Sequence, residues 1–130
     1  MSDFDRIATR YIDAWNTTDV TARRTAVAEL YRDDARYVDP LGEATGHDEI
    51  AGLIGAVQGQ FPGSAFRLLG DVDGHHDQLR FRWELGPYGQ DAPVVGFDVV
   101  VTGPDGRIST VLGFLDLVPA GATVGPDASD

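Results

Sequence analysis

No cysteine occurs among the 130 residues, and that one absence excludes disulfides, thiolate metal sites and a cysteine nucleophile together. All ten basic residues are arginine, and they are scattered rather than clustered. The net charge of −11 argues against nucleic acid as a partner, because phosphate binding rests on grouped Lys and Arg. The acidity reads as solubility. No phosphate loop, dinucleotide fingerprint or nucleophilic serine motif is present. No apolar run approaches the ~20 residues needed to span a bilayer. The start, Met1-Ser2-Asp3, is polar and acidic, unlike a signal peptide. The expectation is a cytoplasmic protein that uses no membrane.

What remains is one domain, long enough to bury a core without staples. Phe4, Ile7, Ala8, Tyr11, Ile12 and Trp15 recur at helical spacing. Ser2 is placed to cap that helix, with Asp5 three residues on. Asn16 to Asp19 breaks the pattern and offers caps for a second helix, which carries Ala22, Ala26, Val27, Leu30 and Tyr31 on one side. Arg36 to Asp39 reads as a short strand stopped by Pro40, and Leu41 to Gly46 as a loop. A third helix runs from about His47 to Gly59, with Ile50, Leu53, Ile54 and Val57 inward.

From Ser64 the period changes to two. Ala65 to Val72 and Gln78 to Leu85 read as strands around an Asp73-Gly74 turn. Val94 to Thr102 and Arg107 to Val118 are two more, joined at Pro104-Asp105-Gly106. Residues 119–130 read as a flexible acidic tail beyond a domain spanning residues 1–118. Three helices followed by a meander of strands is an α+β layout, with helices on one face of a curved sheet.

The pattern resembles the nuclear-transport-factor-2-like superfamily and, within it, the SnoaL-like proteins and ketosteroid isomerases. The resemblance rests on Arg10-Tyr11-Ile12, on Leu30 to Ala35 running into Val38-Asp39-Pro40-Leu41-Gly42, and on Gly46 to Ile50. Gly96-Phe97-Asp98 with Gly106-Arg107-Ile108 completes it. It implies a cone-shaped fold in which three N-terminal helices and a curved, mainly antiparallel sheet enclose a pocket, often in a homodimer.

The resemblance also implies roles. Asp39 falls at the isomerases' general base, Tyr11 at their oxyanion-binding phenol, and Asp98 at the second oxyanion donor, a carboxyl that must stay protonated. Ketosteroid isomerase is itself the standard example of an acid kept neutral by an apolar site. Asp98 lies within Val94 to Val101, an apolar strand where a lone charge is costly. Tyr31 matches a supporting tyrosine, a further tyrosine of that network falls on Ile54, and a pocket aromatic falls on Leu115. Val100 and Trp15 complete the expected lining. Trp15 stands where the isomerases carry a smaller aliphatic, which shortens the cavity against a flat four-ring steroid.

Other readings stay open. Asp39 before Pro40 also suits a turn cap, and Tyr11 on an apolar helix face also suits a core tyrosine. Arg82, Asp98 and Asp116 loosely mimic the Asp-Arg-Asp set of limonene-type epoxide hydrolases, although the alternation of Arg80 to Leu85 turns Arg82 away from Phe81 and Trp83. His75-His76-Asp77 reads as a surface turn rather than a metal cluster, and His47 as a helix-start residue. The expectation is a pocket for a small apolar carbonyl compound that needs no metal or cofactor. It serves either proton transfer alpha to a carbonyl, as double-bond isomerisation or SnoaL-type ring closure, or ligand binding without catalysis.

Overall fold

The computed structural model describes residues 2–87 and 94–118. The chain runs α1 (Asp3–Asn16), α2 (Val20–Leu30), β1 (Tyr31–Asp39), β2 (Gly42–Thr45), α3 (Gly46–Gln60), β3 (Ser64–His75), β4 (Gln78–Pro87), β5 (Val94–Thr102) and β6 (Ile108–Leu117). The expected tail and the link between β4 and β5 lie outside the described residues. No helix among the described residues is long and apolar enough to cross a membrane.

Local chemistry accounts for the helix starts. Ser2 accepts the Asp5 backbone N–H at 3.0 Å while the Asp5 carboxylate returns to Ser2, a reciprocal capping box. Asp19 caps α2 by accepting from Ala22 N–H at 2.9 Å. Helix α2 ends one residue earlier than its pattern suggests: Tyr31 is already extended and opens β1. A distant residue supports that end, because the Arg107 guanidinium donates to the carbonyls of Ala28 and Tyr31.

The six strands form one sheet in the order β2-β1-β6-β5-β4-β3, antiparallel except where β1 lies parallel to β6. Burial alternates along it, with Leu79, Phe81, Trp83 and Leu85 of β4 and Val94, Gly96, Asp98 and Val100 of β5 turned inward. The helices supply Tyr11, Trp15, Val27, Ile50 and Ile54 to the same core. This is the expected α+β fold of three helices on a curved, mainly antiparallel sheet.

Two local expectations change. The segment after Pro40 is not all loop, since Gly42 to Thr45 pairs with β1 as β2. The hairpin after β3 turns at His76 and Asp77, not at Asp73-Gly74, with His76 at φ 54°. Gly74 is a glycine for another reason: a Cβ there would lie 2.7 Å from the Phe4 ring. Close helix-to-strand packing, not a turn, requires it.

Candidate functional site

The pairing of β4, β5 and β6 places Asp98 between Phe81 and Gly113. Alternation turns it inward, where it is the one buried charged residue of the described core at 1 % exposure. From the core face of α1, the Tyr11 hydroxyl donates to Asp98 Oδ2 at 2.6 Å. Among the described residues, Asp98 Oδ1 has no hydrogen-bond partner. Burial pushes the Asp98 carboxyl up from 3.8 to about 7, and the charge of Asp39 adds to the rise. The Tyr11 hydroxyl and the Trp83 indole hold it back. The same burial, with Asp98 beside it, raises the Tyr11 phenol well above its usual value.

Asp39 closes β1 at the two-residue turn into β2, where it pairs with Gly42. Its Oδ1 accepts the backbone N–H of Leu41 at 2.8 Å and of Gly42 at 3.1 Å. Its Oδ2 accepts the Tyr37 hydroxyl at 2.6 Å. The side chain is half-buried. Asp39 and Asp98 meet over Gly113: a Cβ built there would lie 2.9 Å from Asp98 Oδ1 and 3.0 Å from the Asp39 Cβ. The two acids thus flank one missing methyl group.

Around them stands an aromatic wall. The Tyr11 ring packs edge-on to Phe81 at 5.2 Å, and Trp15 lies 5.6 Å from Tyr37 and 5.2 Å from Phe66. Phe66 in turn meets Trp83 at 5.2 Å. Trp15 Nε1, Tyr31 Oη and Trp83 Nε1 are buried with no hydrogen-bond partner among the described residues.

Of the residues singled out from the sequence, Tyr11, Asp39 and Asp98 lie together. Trp15 and Tyr31 are buried beside them, but among the described residues the Tyr31 hydroxyl supports no other tyrosine through a hydrogen bond. Val100 shares the inner face with Asp98, Ile54 is buried on α3, and Leu115 is partly buried against the core. Arg82 and Asp116 do not join the site. They pair at 3.6 Å while half-exposed on the outer face, opposite to Asp98. His47 Nε2 donates to the Tyr31 carbonyl at 2.8 Å. Among the described residues, no three of His, Cys, Asp and Glu are grouped to hold a metal ion.

Three participants were not singled out from the sequence. Tyr37 stands two residues before Asp39, and the strand period could have placed it beside that acid. Trp83 and Gly113 gave no local signal, because only strand register puts them next to Asp98.

Comparison with known proteins agrees with this architecture. Residues 8–111 match the model of the SnoaL-like domain. A proposed isomerase of the SnoaL-like family from Agrobacterium tumefaciens is 41% identical, with a TM-score of 0.85 over 89% of this chain and 99% of that one. A ketosteroid isomerase-like protein from Catenulispora acidiphila, solved with trimethylamine, shares the fold at 21% identity and a TM-score of 0.70, covering 90% and 96% of the two chains. A proposed polyketide cyclase from Sinorhizobium meliloti does so at 20% identity and a TM-score of 0.67, covering 87% and 99%. No curated protein matches the sequence.

Proposed function

The chain belongs to the SnoaL-like domain family, and on that footing we propose that it catalyses proton transfer alpha to a carbonyl group. The observation that carries this reading is the buried Tyr11–Asp98 pair at 2.6 Å, set across Gly113 from Asp39. A carbonyl oxygen entering at this pair would draw the Tyr11 hydroxyl proton away from Asp98 Oδ2 and accept a second hydrogen bond from protonated Asp98. Asp98 holds its proton up to about pH 7 because burial disfavours its charge.

The half-buried Asp39 carboxylate would remove a proton from the carbon beside that carbonyl. The electron pair of the broken C–H bond moves into the enolate, whose oxygen Tyr11 and Asp98 stabilise. Return of the proton from Asp39 to a different carbon isomerises a double bond. Attack of the enolate carbon on a second carbonyl of the same molecule closes a ring, the attacked C=O π pair becoming an alkoxide that takes the proton back from Asp39. The aromatic wall suits a small apolar carbonyl compound, and the indole of Trp15 stands against a long fused-ring substrate.

A second reading has its own support. All of the hydrogen bonds to Asp39 come from its own turn and from Tyr37, as they would in a module that only binds its ligand. Turnover of a panel of β,γ-unsaturated ketones, monocyclic and steroidal, by wild type and Asp39→Asn separates the two. Turnover lost in the variant supports carbon-acid chemistry. Binding of panel members with no turnover by either protein favours the module.

A further inference from the structure

We propose that Trp83 is a positioning residue for Asp98, its indole N–H acting as the second donor to that carboxyl alongside Tyr11. The proposal rests on reading Tyr11 and Asp98 as the polar end of the ligand site. Trp83 lies on β4 two residues beyond Phe81, the strand partner of Asp98, and on the same inner face. Its own partner on β5 is Gly96, and a Cβ at Gly96 would run into the indole. The glycine therefore lets the ring lie flat across β5, two residues from Asp98.

Two buried atoms with opposite needs then lie on the inner face of neighbouring strands. Trp83 Nε1–H can only donate, and Asp98 Oδ1 has nothing to accept from; both are buried without a closed hydrogen bond. The indole nevertheless approaches closely enough to pull the Asp98 carboxyl downward, second to Tyr11 among the groups that do so. The groups acting on Asp98 are Tyr11 from α1, Asp39 from β1 and Trp83 from β4, while its charge in turn raises the phenols of Tyr31 and Tyr37 on β1. No basic side chain among the described residues contributes. Neutral donors alone thus offset part of the cost of burial.

This arrangement has a consequence for the ligand. Both donors suit ionised Asp98, and no acceptor among the described residues awaits its proton at Oδ1. A ligand oxygen would supply protonated Asp98 with that acceptor. By favouring the ionised form, Trp83 sets the pH above which that proton is gone.

The test uses the free protein and no substrate. Carboxyl carbon NMR follows the Asp98 titration in wild type and in Trp83→Phe, which keeps an aromatic ring against Gly96 and removes the N–H. Loss of a donor to the charged form should move the midpoint upward from about 7 by roughly one pH unit. An unchanged or lowered midpoint overturns the proposal. A second measurement needs no change at position 83. The indole N–H resonance of Trp83, assigned with Trp15→Phe, should shift with the Asp98 midpoint and lose that shift in Asp98→Asn. An indole signal indifferent to this titration also overturns it. Neither readout depends on turnover, so failure of the ketone panel and failure of this proposal are separate results. Where turnover is found, the high-pH limb of kcat/KM should move upward in Trp83→Phe with the NMR midpoint.

Discussion

The Tyr37 hydroxyl donates to Asp39 Oδ2 at 2.6 Å, from two residues back along the same strand. With Leu41 and Gly42 on the other oxygen, the carboxylate is held from both sides. Tyr37 itself is buried, and its phenol is pushed well above its usual range, by burial first and then by the charges of Asp98 and Asp39. It therefore stays a donor across the working pH range. Tyr37→Phe should cost about 1 to 2 kcal/mol of stability at neutral pH, as expected for a lost hydrogen bond to a charged but half-exposed group. Urea unfolding of wild type and variant measures it. If the ketone panel shows turnover, the variant should also lose rate, because its base is no longer fixed in orientation. Equal stability of the two proteins would mean that solvent replaces the hydroxyl at no cost.

Asp98 should tie stability to pH in the direction opposite to most acids. Its carboxyl is raised from 3.8 to about 7, chiefly by burial. Between those values the unfolded chain has released the proton while the folded chain keeps it, so this group's contribution falls as pH rises. Above about 7 the loss is complete and constant. Asp98→Asn removes the titration and keeps the size and an acceptor for Tyr11. Relative to wild type, the variant should gain up to about 4 kcal/mol between pH 4 and pH 8. Denaturant unfolding at both pH values checks this, and a difference independent of pH would show that Asp98 does not titrate in that window.

The features readable from sequence are those whose physics is local. The inward face of α1, its Ser2–Asp5 capping box and the strand Val94–Thr102 follow from spacing within a few residues. Features that depend on distant partners were not readable. Gly74 resembles a turn residue until Phe4 is seen lying on it. The end of α2 depends on Arg107, far along the chain. For the site, Tyr11 and Asp98 are 87 residues apart, and a family resemblance rather than periodicity suggested that they meet. Tyr37 was within reach of the period-two rule. Trp83 and Gly113 become visible only once strand register is known, because register decides which residue stands opposite an acid.

The outer face of β5 and β6 carries a proposed contact with a second copy of the chain. Leu112, Phe114 and Leu117 are 40%, 56% and 52% exposed, and Phe114 lies 6.4 Å from the Phe97 ring. The half-exposed Arg82–Asp116 pair borders them. An apolar centre bordered by both charge signs is self-complementary, since a two-fold axis can set Arg82 of one copy toward Asp116 of the other. Sedimentation should show a dimer at micromolar concentration, and Phe114→Asp should weaken it at least about tenfold. A monomeric wild type under those conditions would end this reading without touching the site on the inner face.

Gly113 offers the sharpest test of whether the two acids work as a unit. It faces inward on β6 opposite Asp98, and its missing side chain leaves the space between Asp98 Oδ1 and the Asp39 Cβ. An alanine methyl there would sit 2.9 Å and 3.0 Å from those atoms, closer than packed carbons tolerate. Asp98 cannot simply swing aside, because Oδ2 is held by Tyr11 and the residue is buried. Asp39 is tied to its turn by Leu41 and Gly42. Gly113→Ala should therefore destabilise the protein by about 1 to 3 kcal/mol, the usual cost of overpacking. It should also shift the Asp98 titration, because the spacing to Asp39 changes. Thermal unfolding and carboxyl NMR on one preparation read both effects. A stability loss with an unmoved Asp98 midpoint would mean that the strand yields while the acids keep their spacing, and the two would then have to be treated as independent groups.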